Sequence, residues 1–508
     1  MSDDQIGTPE GAERPAPDAR AMPAGMRPGM RPGGGRDLTQ GPIGRTLLLF
    51  AVPTLASSVL QSLNGSVNAI WIGRFLGEDA LAASTNGNIV MFLLIAFVFG
   101  FGMAATILVG QAFGRGDVAL ARRTVGTALG AGILAAILVA VVGWFLAPSL
   151  LSLLATPPAV EPLALEYLRF IFFGVPPMML LTLLMMSLRG SGDAVTPMKF
   201  MAMSVVIDIA LNPVFILGLG PAPELGIAGS AVATAIASYA SVTAMIAYIY
   251  WKDLAIRLRG PELAFLKPAG DLLRVIVAKG LPMGLQMIVI SSSALAMLGL
   301  VNKEGVDTVA AYGVAQQLWT YVQMPAMALG AAVSAMTAQN IGAGRWDRIS
   351  RITNRGVIYN LVMTSVLILL ITIFDRSALA LFLGAGSPAI PIGQHIHLLA
   401  TWSFLMFGVT LVLFGTVRAN GEVVWPLIIL TVGMFPGRLG MAVLGYDVFG
   451  ADALWLSFPA GSFVILVAAI WLYKSGGWRK RSMIPTRIEL EEHALSDREP
   501  GGAIRPSG

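Results

Sequence analysis

The chain has 508 residues, of which 56% are hydrophobic and only 12% are charged, and it contains no cysteine. Soluble globular domains carry about 25% charged residues. A protein core cannot hide this much apolar surface, so lipid must surround most of the chain, which excludes a soluble enzyme, a coiled coil and a disordered scaffold. The missing cysteines exclude disulfides, thiolate metal sites and a cysteine nucleophile. The net charge of +5 does not argue for a nucleic acid partner, since membrane proteins keep Lys and Arg in their cytoplasmic loops.

The two ends of the chain differ from its middle. Residues 1–45 are rich in Pro, Gly and Arg, lack the apolar stretch of a signal peptide, and predict a disordered cytoplasmic tail. Residues 474–508 are basic and then mixed in charge, and they predict a second tail. Between the tails, apolar runs of about 20 residues recur, which is the length that crosses roughly 30 Å of hydrocarbon. We predict twelve transmembrane helices, near 46–71, 86–113, 124–147, 164–188, 198–220, 226–251, 275–300, 309–338, 355–374, 396–417, 424–446 and 452–473.

Basic residues orient these helices. If both tails lie inside, most Lys and Arg residues fall in the tails and the cytoplasmic connections, the latter including Arg115, Arg122, Arg123, Arg189, Lys252, Lys279, Arg345 and Arg418. Few fall outside, namely Arg74, Arg169, Lys303 and Arg376. The positive-inside rule therefore predicts a multi-pass protein of the bacterial inner membrane with both termini cytoplasmic.

Several short patterns occur twice, at an offset of 228 or 229 residues. The matching positions are Pro53 with Pro282, Asp79 with Asp307, Gln111 with Gln339, and Arg189 with Arg418. Because six spans return the chain to the side where it started, the two copies enter the membrane from the same side. Such parallel repeats are typical of transporters and place a cavity between the two halves near the bilayer midplane.

The repeat divides the chain into an all-α membrane protein with two pseudo-symmetric lobes of six helices each. We place the N-terminal lobe at 46–251, a cytoplasmic linker at 252–274 and the C-terminal lobe at 275–473. The sequence has no phosphate-binding Gly-Lys-Ser loop, which argues against ATP as the energy source. Catalytic Ser-His-Asp and His-Glu-x-x-His patterns are missing as well, so we expect no enzyme activity and no cofactor.

Five segments resemble the multidrug and toxic compound extrusion (MATE) family. They are Leu60-Gln-Ser-Leu-Asn-Gly-Ser-Val-Asn68-Ala-Ile-Trp-Ile-Gly-Arg74, Gly110-Gln-Ala-Phe-Gly-Arg-Gly-Asp117, Leu188-Arg-Gly-Ser-Gly-Asp193, Asp208-Ile-Ala-Leu-Asn-Pro-Val-Phe-Ile-Leu-Gly218 and Gly226-Ile-Ala-Gly-Ser-Ala-Val-Ala-Thr234. The resemblance implies a monomeric antiporter that expels small amphipathic or cationic drugs and toxins against H⁺ or Na⁺. Residues 281–301 and 397–417 contain no Asp or Glu, which resembles the branch typified by DNA-damage-inducible protein F.

Asp208 is the one carboxylate that the sequence places deep inside an apolar span, about 15 Å from its start. An ionised carboxylate at that depth costs roughly 2.5–3.5 kcal/mol, so Asp208 should face a cavity and exchange its proton or hold a cation. Asn212 lies four residues later on the same helix face. Pro213 lacks an N–H, which leaves the carbonyl oxygen of Ile209 free for a cation or water.

The resemblance places Asn68 and Thr234 around this acid, since the matching positions of the family surround it. We therefore predict a cation-coupling site made of Asp208, Asn212, Asn68 and Thr234. The alternative is a buried aspartate that Asn68 and Thr234 satisfy for packing alone.

Four further residues are candidates for the substrate cavity: Gln286, Met178, Met203 and Arg438. Methionine suits a pocket that accepts many shapes, although it also serves as a lipid-facing filler. Arg438 is the one basic residue embedded in a predicted span; it either binds an anionic group or extends to the interface for a structural role. His395 and His397 lie on different helix faces and lack a third ligand, so no metal site is expected.

Two other functions remain as alternatives. A flippase for lipid-linked saccharides has a pyrophosphate-bearing substrate and needs several Arg or Lys residues in its cavity, of which the sequence offers Arg438. A membrane sensor or scaffold without transport activity is disfavoured by the duplicated core and its embedded acid.

Overall fold

A computed structural model describes residues 35–153, 156, 160–384 and 386–483 of the chain. The outer parts of the two predicted tails, residues 1–34 and 484–508, lie outside the described residues. Residues 35–42 of the first predicted tail lie against the helices, and the side chain of Leu38 among them is completely buried.

Nearly all described residues are helical. The first half consists of α1 (Ile43–Leu76), α2 (Glu78–Arg115), α3 (Val118–Leu153), α4 (Glu161–Gly190), α5 (Val195–Leu217) and α6 (Gly226–Trp251). The second half consists of α7 (Gly270–Val301), α8 (Val306–Gly342), α9 (Trp346–Ile373), α10 (Asp375–Leu383), α11 (Ala389–Ala400), α12 (Ser403–Arg418), α13 (Val424–Val432), α14 (Gly440–Leu444), α15 (Tyr446–Phe449) and α16 (Asp452–Ser475).

Ten of these segments are long and apolar enough to cross a membrane on their own. The bent pair α11 and α12, which meet at 46°, makes an eleventh span, and its bend explains why the predicted span at 396–417 began too late. Helix α8 is the remaining one: it has 37 residues, but glutamines and an asparagine make it less apolar than its neighbours. Each of the twelve predicted spans therefore lies on a long helix or a broken one.

The linker between the halves packs on α3 rather than crossing open space. A 3₁₀ turn at Gly260–Leu266 lies against the helix where Gly126 and Gly130 leave room, and a Cβ at either glycine would collide with Phe265 or Leu266. An ion pair of 2.9 Å between Arg122 and Glu262 adds to this contact. The linker thus caps the end of the bundle at which α1 begins and α16 ends, which we call the terminal end.

The two halves are sealed against each other at the terminal end by matching contacts. Gln111 of α2 donates from Nε2 to the carbonyl oxygen of Ala419 at 2.7 Å, and Gln339 of α8 donates to that of Gly190 at 3.0 Å. These glutamines are equivalent in the sequence repeat, and each reaches into the other half. A side chain at Gly114 would collide with the backbone of Gln339, so the backbones of α2 and α8 are in direct contact there.

A short segment before α1 covers this seal. The Leu38 N–H donates to Oε1 of Gln339 at 3.2 Å, and Asn340 donates to the carbonyl oxygen of Leu38 at 3.1 Å. The Arg36 N–H donates to the carbonyl oxygen of Gly192 in the first half at 3.3 Å. The segment is therefore bonded to both halves.

Candidate functional site

Five polar side chains form one cluster inside the first lobe, which we call the N-lobe cluster. Asn64 and Asn68 of α1 donate to Oδ2 of Asp208 at 2.7 and 3.0 Å. Thr234 of α6 and Asn212 donate to Oδ1 at 3.0 and 3.1 Å. The carboxylate therefore receives four hydrogen bonds and ties three helices together.

The helical repeat explains why these residues meet. Asn64 and Asn68 are four residues apart on α1, and Asp208 and Asn212 are four apart on α5, so each pair shares one face of its helix. Asn212 also donates to Oδ1 of Asn68 at 3.0 Å and to the carbonyl oxygen of Asp208 at 2.9 Å. Side-chain hydrogen bonds therefore join this face of α1 to this face of α5.

The cluster is buried but reaches the surface at its edge. Asp208 and Asn212 are 1% and 0% exposed, whereas Asn64, Asn68 and Thr234 are half-buried. Within the described part of the chain, Asp208 forms no ion pair with a basic side chain. Neutral donors alone surround it, and hydrogen bonds to a charged acceptor are worth roughly 1.5–3 kcal/mol each. The arrangement suits an ionised carboxylate, because Asp208 is the acceptor in all four of these hydrogen bonds.

Two amide oxygens of the cluster have no partner. Oδ1 of Asn64 and Oδ1 of Asn212 are buried and accept no hydrogen bond. If Asn64 rotated its amide group, this oxygen would face the carboxyl group and accept a proton from it. The cluster therefore contains an acceptor for a protonated Asp208 as well as donors for the ionised form.

The structure adds one residue, Asn64, to the predicted site. Asn64 was not predicted, although its spacing of four from Asn68 is visible in the sequence. The four predicted residues Asp208, Asn212, Asn68 and Thr234 are all brought together.

A cavity of about 220 Å³ lies between the two lobes, and we call it the central cavity. Gln286 lines it, donating from Nε2 to the carbonyl oxygen of Val423 at 3.2 Å while its own Oε1 has no partner. The walls carry five methionines, which are Met103, Met186, Met283, Met287 and Met327. Asp208 does not line this cavity, so the carboxylate is shielded from it in this conformation.

Two arginines that the sequence places in the cytoplasmic connections line the central cavity. Arg189 is in the last turn of α4 and Arg418 ends α12, so both side chains belong to helix ends that reach the cavity. The predicted spans end at residues 188 and 417, directly before these arginines, so hydropathy alone does not show that their side chains line a cavity.

Arg438 lies in a separate cavity of about 260 Å³ within the second lobe. Its guanidinium carbon is 3.5 Å from the ring centre of Phe458, and its Nε has no hydrogen-bond partner. The residue sits in a π-helical turn, Gly433–Leu439, which interrupts the span between α13 and α14. This turn directs Arg438 toward the lobe interior rather than the interface.

The remaining candidates have other surroundings. Met178 and Met203 line none of the cavities described here, and Met203 packs against the core of the first lobe. His395 pairs with Asp452 at 2.7 Å, and the buried His397 pairs with Asp375 at 2.7 Å. Over the described ranges, no group of three or more potential metal ligands occurs.

Known proteins match both lobes. The MatE family model matches residues 53–214 and again 282–444, once in each half. The "Probable multidrug resistance protein YoeA" of Bacillus subtilis is 35% identical over 441 residues, which cover 86% of this chain and 95% of that protein. The "FAD transporter" of Shewanella oneidensis is 25% identical over 439 residues, covering 86% of this chain and 95% of that protein.

A solved structure shares the fold. The Vibrio cholerae MATE transporter VcmN, solved as a point mutant, superposes with a TM-score of 0.79 at 20% identity, covering 87% of this chain and 98% of that one. The predicted all-α architecture of twelve membrane helices in two lobes is confirmed by this likeness. The chain belongs to the MATE family of multidrug efflux transporters.

Proposed function

We propose that this chain is a secondary active exporter of small amphipathic organic compounds, driven by proton antiport at Asp208 across a bacterial inner membrane. The observation that carries the proposal is a carboxylate buried to 1% exposure and held by four neutral donors with no basic side chain bonded to it. An ionisable group inside a membrane domain is a functional candidate by default, because its charge is costly there. The terminal end faces the cytoplasm in this proposal.

The proton acts by changing what the cluster can hold together. In the ionised state, Asp208 joins α1, α5 and α6 through its four hydrogen bonds. Protonation removes the charge and gives Asp208 one O–H donor, so at least one of the four donors loses its acceptor. Asn64 can compensate by rotating its amide group, so that its Oδ1 accepts a hydrogen bond from the protonated carboxyl group. The bound proton can shift the equilibrium between two arrangements of the lobes only if its affinity differs between them.

The orientation of the amides favours H⁺ over Na⁺. A sodium ion needs oxygen ligands, but three asparagines here turn N–H groups toward the carboxylate. Binding Na⁺ therefore requires that several amides rotate together, whereas a proton requires one. The names of the relatives differ in cargo, since one is a multidrug resistance protein and another an FAD transporter, so the lining of the central cavity has to indicate the class of compound.

Everted membrane vesicles with an acidic interior test the coupling. Wild-type protein should take up at least one of two dyes, ethidium or dansylglycine, and uptake should stop when nigericin collapses the pH gradient. Asp208→Asn should lower uptake at least tenfold. Asp271→Asn removes an exposed carboxylate at the start of α7 and should leave uptake unchanged. Equal uptake by Asp208→Asn and wild type, or uptake that follows a Na⁺ gradient alone, contradicts the proposal.

A flippase for lipid-linked saccharides is the second candidate, and the arginines of the central cavity favour it more than the sequence did. Its substrate carries pyrophosphate, which Arg189 and Arg418 suit. Such a flippase would move neither dye, so the same vesicles separate the two functions.

A further inference from the structure

We infer that Arg189 and Arg418 form an anion-binding site in the central cavity, and that the exported compounds include amphipathic organic anions bearing a carboxylate or phosphate group. The inference rests on the proposed export function, because it treats the anion as cargo. It departs from the cationic cargo that the family resemblance implies.

The two arginines occupy equivalent positions in the internal repeat. Each lies in the last turn of the helix that returns the chain to the terminal end, and each lines the same cavity from its own lobe. Arginine offers planar donors that match carboxylate and phosphate oxygens two at a time. The pair thus presents donors to one cavity from two sides.

Neither guanidinium is neutralised by the surrounding protein. The Nε atoms of Arg189 and Arg418 are buried without a partner. Among the described residues, neither side chain makes a hydrogen bond or ion pair, and Arg418 has only the Phe414 ring, 5.5 Å away. The residues that line the cavity include no Asp or Glu. A bound anion would supply the missing charge, whereas a cation would add a third positive charge.

A structural role for basic residues at helix ends is well known, and it predicts a different geometry. Arg and Lys near a helix C-terminus stabilise it when their N–H groups donate to the last carbonyl oxygens. Arg189 and Arg418 are at such ends, yet the carbonyl oxygens just after them, on Gly190 and Ala419, accept from glutamines of the other lobe instead. The arginine side chains are left directed at the cavity.

The rest of the cavity suits an apolar body attached to the anionic group. Its polar lining is small next to the methionine and phenylalanine side chains, among them Phe50, Phe99 and Phe407. Flexible thioether side chains adapt to ligands of different shape. The site therefore combines two arginines that recognise an anionic group with an apolar wall that accepts side groups of many shapes.

Binding and the seal are linked through the same residues. Arg189 precedes Gly190, and Arg418 precedes Ala419, and these two carbonyl groups hold the glutamines that close the terminal end. When the lobes part there, the arginines separate because each belongs to a different lobe. An anion that contacts both therefore binds the closed arrangement more tightly than the open one, and it shifts the equilibrium toward closure.

Three dansyl probes of different charge test the site, using full-length protein in phosphatidylcholine nanodiscs. Dansylglycine carries a carboxylate, dansylamide is neutral and dansylcadaverine carries an ammonium group. Arg189→Gln and Arg418→Gln should each raise the dissociation constant for dansylglycine at least tenfold, while Arg189→Lys and Arg418→Lys retain part of the affinity. Arg274→Gln, an exposed arginine of α7, is the matched control and should bind as wild type does.

The other probes show whether the variants are folded. Dansylamide should bind all variants within twofold of wild type, and dansylcadaverine should not weaken. Unchanged dansylglycine binding in either glutamine variant, or equal loss of all three probes, overturns the anion site. Asp208→Asn should keep dansylglycine binding while losing proton-driven export, so failure of the coupling proposal and failure of the anion site give different results.

The anionic group can belong to a dissolved compound or to a lipid headgroup, and a second lipid mixture separates these sources. If phosphatidylglycerol added to the nanodiscs weakens dansylglycine binding to wild type, the headgroup occupies the site. If it does not, the occupant is the dissolved amphipathic anion.

Discussion

The two lobes share one helical plan but bury opposite charges. In the first lobe, α5 is continuous over 23 residues and places Asp208 among four hydrogen-bond donors. In the second lobe, the corresponding span is interrupted by a π-helical turn that carries Arg438 against the ring of Phe458. The arrangement of helices is the same in both lobes, whereas the buried charged residue and its surroundings differ.

This difference assigns different tasks to the lobes. A carboxylate can change its protonation state in a physiological range when its environment is adjusted, whereas arginine stays charged in proteins. We therefore propose that proton coupling belongs to the first lobe, while Arg438 provides a permanent positive charge in the second. The following variants, ordered from the largest expected effect to the smallest, test that division.

Asn212→Leu should have the largest effect, because this side chain alone bonds to Asn68 and Asp208 at once. Its loss leaves Oδ1 of the buried Asp208 and Oδ1 of the half-buried Asn68 short of a donor, and a buried group without its partner costs about 1–3 kcal/mol. We expect proton-driven dye uptake to fall about tenfold or more. Asn302→Leu, at the exposed end of α7, is the matched control. Normal uptake by Asn212→Leu would show that the cluster is not the coupling site.

Phe458→Leu should alter stability rather than coupling. The ring lies under the Arg438 guanidinium, a contact worth about 2 kcal/mol when water is excluded, so thermal unfolding should begin several degrees lower. Uptake per folded molecule should stay within twofold. Phe463→Leu, on the exposed face of the same helix, should change neither. A coupling defect without a loss of stability would give the second lobe a part in proton transfer.

Thr234→Val should have the smaller effect of the two variants in the N-lobe cluster. It removes one of four donors to Asp208 and keeps the size of the side chain, so we expect proton-driven uptake to fall roughly threefold. Thr234→Ser retains the hydroxyl group and should restore most of the uptake. A tenfold loss of uptake in Thr234→Val would contradict the view that the hydroxyl is only one of four hydrogen-bond donors to the carboxylate.

The sequence was sufficient for the frame and for the centre of the site. The apolar runs and the repeat that pairs Pro53 with Pro282 identified two equivalent lobes, because these two patterns can be read directly from the residues of each segment. Asp208 and Asn212 stood out since a charged residue is rare in such a run. Asn64 lies four residues before Asn68, a spacing that places both side chains on one face of α1.

Other features depend on how the helices pack. Arg189 and Arg418 face the central cavity because α4 and α12 end where the lobes meet. Basic residues near the end of a span look alike in sequence whether they point to solvent or inward.

The segment of residues 35–42, which precedes α1, forms hydrogen bonds with both lobes at the terminal end. Its Arg36 backbone is bonded to one lobe at Gly192, and its Leu38 backbone to the other at Gln339 and Asn340. The lobes cannot separate at this end while both anchors hold. Releasing the second anchor would uncover Leu38, whose burial is worth about 1.5–3 kcal/mol. The free energy needed to separate the lobes at this end therefore includes a contribution from one leucine that precedes the first membrane helix.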